Sequence, residues 1–347
     1  MRTSESLLEK CLDDIISKKN IFSTVLRVES GDGSFAWSGE RGEMQFDQKY
    51  FIASVTKLYV TALIISLSQK GKLTLDEKIS TYLSSRYMEK LHLLKGIDYS
   101  NEITIEHLLS NTSGLPDYFA KSAADSLLRG NDDAWELERT ICHTKKLTPK
   151  FAPGKKGKAS YSDTNYRLLG KVIEIAADKS LDEVFEEYIF DKIGLKHTYM
   201  FKDITDKEPA AFYYKDKQLW LPKYMASITS EGGIVSTAEE VMIFMKAFFS
   251  GRFFPKEKIE ELKKWNLLLP PPGIFYFGVG LEKQPTPRII SLTKPINEVV
   301  GFWGQTSSFA WYNSDTDLYF SGTANQADGT GHRAVMTAII KIIKSIL

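Results

Sequence analysis

Leu7, Leu8, Cys11, Leu12, Ile15 and Ile16 recur at the three- and four-residue spacing of one helix face, which predicts an amphipathic helix over residues 4–18. Two β-rich runs, 22–29 and 34–39, flank Gly31-Asp32-Gly33 and predict a hairpin of two strands. The apolar run from Leu58 to Leu67 closes at Gly71 and predicts a helix that starts near Ser54. From there to about residue 225 helical periodicity dominates, over 104–110, 133–142, 165–177 and 181–189, with loops rich in Gly, Pro and Ser between these pieces. A helix over 241–249 follows. Beyond Pro270-Pro271-Pro272-Gly273 come short aromatic and β-branched runs at 275–283, 287–293, 307–313 and 318–325, and an apolar helix over 334–347 ends the sequence.

This order of helix, strands, helices, strands and helix predicts an α+β protein whose sheet is assembled from both ends of the chain. A chain of 347 residues is long for one compact unit, so two units are expected: residues 1–80 together with 226–347, and a mainly helical insertion over 81–225. The 45 basic and 44 acidic residues leave a formal charge of +1, so no global field attracts a nucleic acid or an acidic membrane. Neither is expected as a partner. Two cysteines, Cys11 and Cys142, make no disulfide framework and fit a reducing compartment. The first ten residues lack the apolar core of a signal peptide, and the Leu58–Leu67 run is too short to span a bilayer. A cytoplasmic protein is the expectation.

Ser54-Val55-Thr56-Lys57 changes the picture from composition to chemistry. Residues three apart on a helix share a face, so a helix starting near Ser54 sets a hydroxyl and an amine side by side. Its free backbone N–H groups would favour an anion there, including the oxyanion of an attacked carbonyl. The plain alternative is that Ser54 is only a helix cap. His92, His107, His143, His197 and His332 show no metal-ligand spacing, and neither a metal nor a cofactor is expected. No G-x-S-x-G elbow is present, which disfavours an α/β-hydrolase.

The neighbours of the tetrad add specificity. Phe51 to Lys57, Gly71 to Asp76, Ile103 to Pro116, Pro153-Gly154, Tyr161 to Gly170, Glu231 to Thr237 and Gly301-Phe302-Trp303-Gly304 occur in an order that resembles the serine β-lactamase and penicillin-binding-protein-like family, in its branch of class C β-lactamases, D-aminopeptidases and esterases. The resemblance implies a β-lactamase/transpeptidase-like fold, an antiparallel sheet flanked by helices with a helical insertion. It implies Ser54 as nucleophile, Lys57 and Tyr161 as the proton relay, and the backbone N–H groups of Ser54 and Gln305 as the oxyanion hole.

Two positions depart from the family pattern. Asp163 stands where Asn is common, and a carboxylate beside Lys57 favours its charged form and raises the pKa of Tyr161. Phe302 stands where the family places a cationic or hydrogen-bonding residue, which argues against recognition of a substrate carboxylate. Phe302, Trp303 and Gly304 are then candidates for an apolar substrate pocket, with ordinary sheet packing as the other reading of the two aromatics. Lys155, Lys156 and Lys158 form a basic loop ahead of Tyr161 that is either solvated or able to bias the site toward anions. The reading reached is a serine hydrolase that works through an acyl-enzyme on a small ester, amide or peptide-like substrate rather than an efficient β-lactamase. The alternative is a non-catalytic binding or sensor protein with an impaired relay.

Overall fold

The computed structural model describes residues 4–119, 121–269, 275–286 and 295–347. Helix α1 (Glu5–Ile16) is capped by the Ser4 hydroxyl and leads into strands β1 (Ser23–Ser30) and β2 (Ala36–Gly42). Strand β3 (Tyr50–Phe51) precedes helix α2 (Thr56–Gln69), and the middle of the chain carries helix α3 (Asp163–Ala177) and the short strand β4 (Tyr199–Met200). Strand β5 (Ile234–Ser236) and helix α4 (Ala238–Ser250) return the chain to the sheet. There follow β6 (Asn266–Leu269), β7 (Phe275–Phe277), β8 (Glu282–Lys283), β9 (Val300–Trp303), β10 (Ser308–Asn313) and β11 (Leu318–Thr323), then helix α5 (Thr330–Ile346).

The main sheet runs β6-β7-β8-β9-β10-β11-β1-β2 with antiparallel pairing throughout, so the chain's first strands close onto its last ones. Side-chain alternation explains why both faces are covered. Leu26, Val28, Phe309, Trp311 and Phe320 pack with α1 and α5, while Val25, Ala310 and Tyr319 turn to the opposite core with α2 and α4. A small sheet, β3-β5-β4, ties the approach to α2 to the segment that follows Gly233. No helix among the described residues is long and apolar enough to cross a membrane.

Several expected elements shift. The 133–142 helix lies at Leu137–Thr144, and the 181–189 helix is an α-turn, Leu181–Phe185, continued by a π-helical turn, Glu186–Phe190. The run at 275–283 is not one strand, because a turn at Gly278–Gly280 splits it. The strand expected over 287–293 lies outside the described residues. Ser54 caps nothing: it occupies a 3₁₀ turn, Ala53–Val55, ahead of α2, and its hydroxyl makes no capping bond.

One buried ion pair joins two motifs. Arg167 on α3 lies 3.1 Å from Glu231, and each side chain is only 3% exposed. Removing one partner strands a buried charge. Arg167→Met should therefore cost about 3–5 kcal/mol, read as a lower urea midpoint at unchanged m-value, and Arg167→Met with Glu231→Gln should recover most of the loss.

Candidate active site

The turn that carries Ser54 is set by strain and by close packing. Ala53 has φ of 46°, a left-handed conformation that a residue with a side chain rarely adopts, and it turns the backbone sharply just before Ser54. Gly304 makes the complementary concession. A Cβ there would lie 2.4 Å from the Ile52 carbonyl oxygen, so only glycine lets the β9–β10 connection lie against this turn. Ser308 Oγ donates to Ile52 O at 2.6 Å and Thr306 Oγ1 to Phe51 O at 3.1 Å, clamping the two segments together.

Tyr161 is delivered by a different mesh. The Ser162 and Thr164 hydroxyls both donate to Pro116 O, at 3.1 and 2.9 Å. Ser113 Oγ donates to Asn165 Oδ1 at 2.7 Å, and Asn165 Nδ2 donates to Asn111 Oδ1 at 2.7 Å. The segments around residues 111–117 and 161–165 therefore hold each other, and the start of α3 is fixed beside α2.

Together these place Ser54 Oγ as acceptor from both Lys57 Nζ, at 2.8 Å, and Tyr161 OH, at 2.9 Å. Lys57 is fully buried. Its Nζ also donates to Glu231 O and forms an ion pair with Asp163 Oδ1 at 2.7 Å, so an ammonium there has two hydrogen-bond acceptors and a carboxylate beside it. Burial first, and the Asp163 charge second, raise Tyr161 well above the usual phenol range, which keeps its hydroxyl protonated near neutral pH.

A cavity of about 420 Å³ opens over Ser54 and Tyr161. Asp163, Trp303, Gly304 and Gln305 line it. Phe302 does not: it is fully buried, edge-on to Phe277 at 5.7 Å, and Phe277 in turn stands edge-on to Tyr161 at 6.2 Å. Strand alternation gives the reason, since Phe302 and Trp303 point to opposite faces. Lys155, Lys156 and Lys158 are exposed and lie outside the cavity wall. Gln305 N–H has no acceptor among the described residues.

Four wall residues had no distinguishing sequence signal as site groups: Asp117, Glu231, Glu282 and His332. Asp117 directly follows the Ile103–Pro116 motif, and Glu231 opens the Glu231–Thr237 motif, so position in a motif was the available clue. Glu282 and His332 carried none. Burial pushes Glu282 up to about 8, opposed by a hydrogen bond from Trp303 N–H at 2.9 Å and by the Lys57 charge. Burial and the Asp163 charge push Asp117 up to about 7. His332 is pulled down to about 4 by burial, against a hydrogen bond to Gly304 O.

Residues 22–343 match the family model described as Beta-lactamase. The chain is 32% identical over 157 residues to the N-acetylmuramyl-L-alanine amidase of Bacillus subtilis (strain 168), covering 45% of this chain and 34% of that relative. It is 25% identical over 311 residues to penicillin-binding protein 4* of the same organism, covering 82% of this chain and 65% of the relative. The chain thus spans about a third of the first relative and just under two thirds of the second. A D-stereospecific amidohydrolase from Streptomyces sp. has the same fold, with a TM-score of 0.81 at 22% identity, over 99% of this chain and 98% of that one. With a family model that covers all but the two ends, this chain belongs to the beta-lactamase family.

Proposed function

We propose that the protein is a serine hydrolase that works through an acyl-enzyme on small esters or amides, and that it favours substrates carrying a cationic group over those carrying a carboxylate. The observation that carries the first part is Ser54 Oγ held between Lys57 Nζ and Tyr161 OH at the floor of a cavity. Ser54 Oγ forms the new bond to the carbonyl carbon while its proton passes into the Lys57–Tyr161 pair. The carbonyl oxygen takes the electron pair and is held by the Ser54 and Gln305 N–H groups. Collapse expels the alcohol or amine with that proton, and water then releases the acid. Asp163 lies where it can take the proton that Lys57 must shed before accepting the one from Ser54.

The second part rests on the wall. Asp117, Asp163, Glu231 and Glu282 line the cavity, and among the described residues no Lys or Arg side chain does. A substrate carboxylate finds no partner cation there, whereas an ammonium finds the carboxyl groups of Asp117 and Glu282, Asp163 and Glu231 being paired with Lys57 and Arg167. Leu127, Phe212, Leu221 and Phe275 make the rest of the wall apolar, which suits an acyl or aryl group beside the charge. The fold shared with a D-stereospecific amidohydrolase is consistent with amide substrates. The committed state of Lys57 Nζ favours the second reading, a covalent binder with little turnover, and one assay separates the two.

Ser54→Ala should abolish labelling by a fluorophosphonate probe and hydrolysis of p-nitrophenyl butyrate. Because no cap is lost, the fold should survive with at most the roughly 1.5–3 kcal/mol of a hydrogen bond to a charged group. Labelling of the wild type without turnover would establish the binder, and hydrolysis by the variant would remove Ser54 as nucleophile. Tyr161→Phe should lower the acylation rate by about 10²-fold or more, the effect of losing a general acid–base group.

Charge preference has its own pH signature. The p-nitrophenyl ester of 4-(trimethylammonio)butyrate should exceed the neutral 5,5-dimethylhexanoate isostere in kcat/KM by at least about tenfold, or 1.4 kcal/mol. Carboxyl groups raised to about 7 and about 8 gain negative charge as pH rises through those values, so KM for the cationic ester should fall between pH 6 and 9 while that for the isostere stays level. Glu282→Gln should flatten the upper part of that fall. A KM ratio that ignores pH would refute the electrostatic reading of the wall.

A further inference from the structure

His332 lies at the start of α5, where Gly329 and the Asp328 side chain begin the helix, and Asp328 Oδ1 accepts from Thr330 N–H at 2.9 Å. Its Nε2 is 2.9 Å from Gly304 O, and its Nδ1 is 3.2 Å from Ser307 Oγ. A carbonyl oxygen only accepts, so Nε2 carries the proton in this contact. The ring also stands against Trp303, with centroids 4.9 Å apart.

Gly304 O belongs to the same peptide unit as Gln305 N–H. In a planar trans peptide these two groups point in opposite directions, so whatever holds the oxygen aims the N–H. Two donors hold it here: Ser307 N–H, at 3.0 Å across the turn, and His332 Nε2–H from outside the turn. On the far side Gln305 N–H has no acceptor among the described residues, and Gln305 shares the cavity wall with Ser54. We infer that His332 is a positioning residue for the reaction, one that locks and polarises the Gly304–Gln305 peptide so that Gln305 N–H meets the oxyanion formed on attack by Ser54. This rests on the proposed oxyanion hole and adds a role for a side chain on α5.

The second hydrogen bond on Gly304 O acts in two ways. It removes rotation of the peptide about the turn, so the donor is in place before charge develops. It also draws electron density toward the oxygen, which strengthens the N–H as a donor in a partly desolvated site. Asp328 is the charged group that faces the ring, and enclosure by protein outweighs it, keeping the imidazole neutral with its Nε2 proton across the working pH range.

The test compares His332→Phe, which keeps a ring without a donor, with His332→Gln, whose amide nitrogen reaches about as far as Nε2. Acylation by p-nitrophenyl butyrate is measured by stopped flow, and fluorophosphonate labelling gives a second rate that needs no turnover. His332→Phe should slow acylation about tenfold or more with KM nearly unchanged, a fraction of the 10²–10³-fold cost of a missing oxyanion donor, and His332→Gln should restore most of the rate. Gln305→Pro removes the N–H at a turn position that tolerates proline. If His332 acts through that group, the double variant His332→Phe with Gln305→Pro is no slower than Gln305→Pro alone. Equal rates for the Phe and Gln variants, a wild-type rate for His332→Phe, or losses that multiply in the double variant would overturn the role of His332 while leaving the hole intact. A wild-type rate for Gln305→Pro would instead remove the hole itself, and the inference with it.

Discussion

The site depends on one buried cation. Lys57 Nζ is shielded from solvent, and an ammonium in that position costs several kcal/mol unless each of its protons meets an acceptor. Its partners come from three separate parts of the chain: Ser54 in the turn before α2 and the Glu231 carbonyl ahead of β5 accept hydrogen bonds, and Asp163 at the start of α3 supplies the opposite charge. Satisfying the charge therefore assembles the site. The same demand explains why the supporting shell is also ionic: Glu231, which supplies the carbonyl, has its carboxylate fixed by Arg167 and by the Tyr118 hydroxyl at 2.9 Å. A loose segment at any of the three positions would leave the cation short of a partner.

Much of this was legible in the residues. The Ser54–Lys57 spacing put the hydroxyl beside the amine, and the order of helices and strands pointed to a sheet made from both ends of the chain, because these are local periodicities and local spacings. The effect foreseen for Asp163 on Tyr161 also follows from adjacency in sequence, since Tyr161 lies two residues ahead of Asp163, the first residue of α3. What failed was anything that depended on which face of a strand meets the site. Phe302 was assigned to the pocket together with Trp303, yet neighbours on a strand cannot both face it. Glu282 and His332 were not found at all. They are brought to Ser54 by pairing of β8 with β9 and by the return of α5 over the sheet, and neither contact leaves a mark on nearby residues.

The charge in the cavity wall and the packing behind Tyr161 are set separately. At Glu282 burial dominates over the Trp303 N–H bond and the Lys57 charge, and holds the carboxyl protonated over much of the neutral range. Phe302 packs against Phe277, and Phe277 against Tyr161. The phenol gains an apolar wall, which adds to the desolvation that keeps it protonated. The ring at position 302 thus stiffens the support behind Tyr161 without reaching the cavity.

The side of the cavity proposed to hold the oxyanion obeys a different constraint, that of backbone against backbone. Ala53 accepts a left-handed conformation and Gly304 gives up a side chain so that two chain segments approach within hydrogen-bonding distance, held by Thr306 and Ser308. Strain of this kind costs on the order of 1–3 kcal/mol and persists only where surrounding contacts over-determine it. Here they do: the turn before α2 is bound on one side by β5, through Ile52 N–H to Ile234 O at 3.0 Å, and on the other by the β9–β10 connection. Two N–H groups that belong to distant parts of the sequence are thereby fixed in advance of any substrate, and preorganisation, not the identity of side chains, is what that half of the site requires. It follows that a late motif without a polar side chain can still hold this backbone geometry, provided the glycine and the hydroxyls behind it remain.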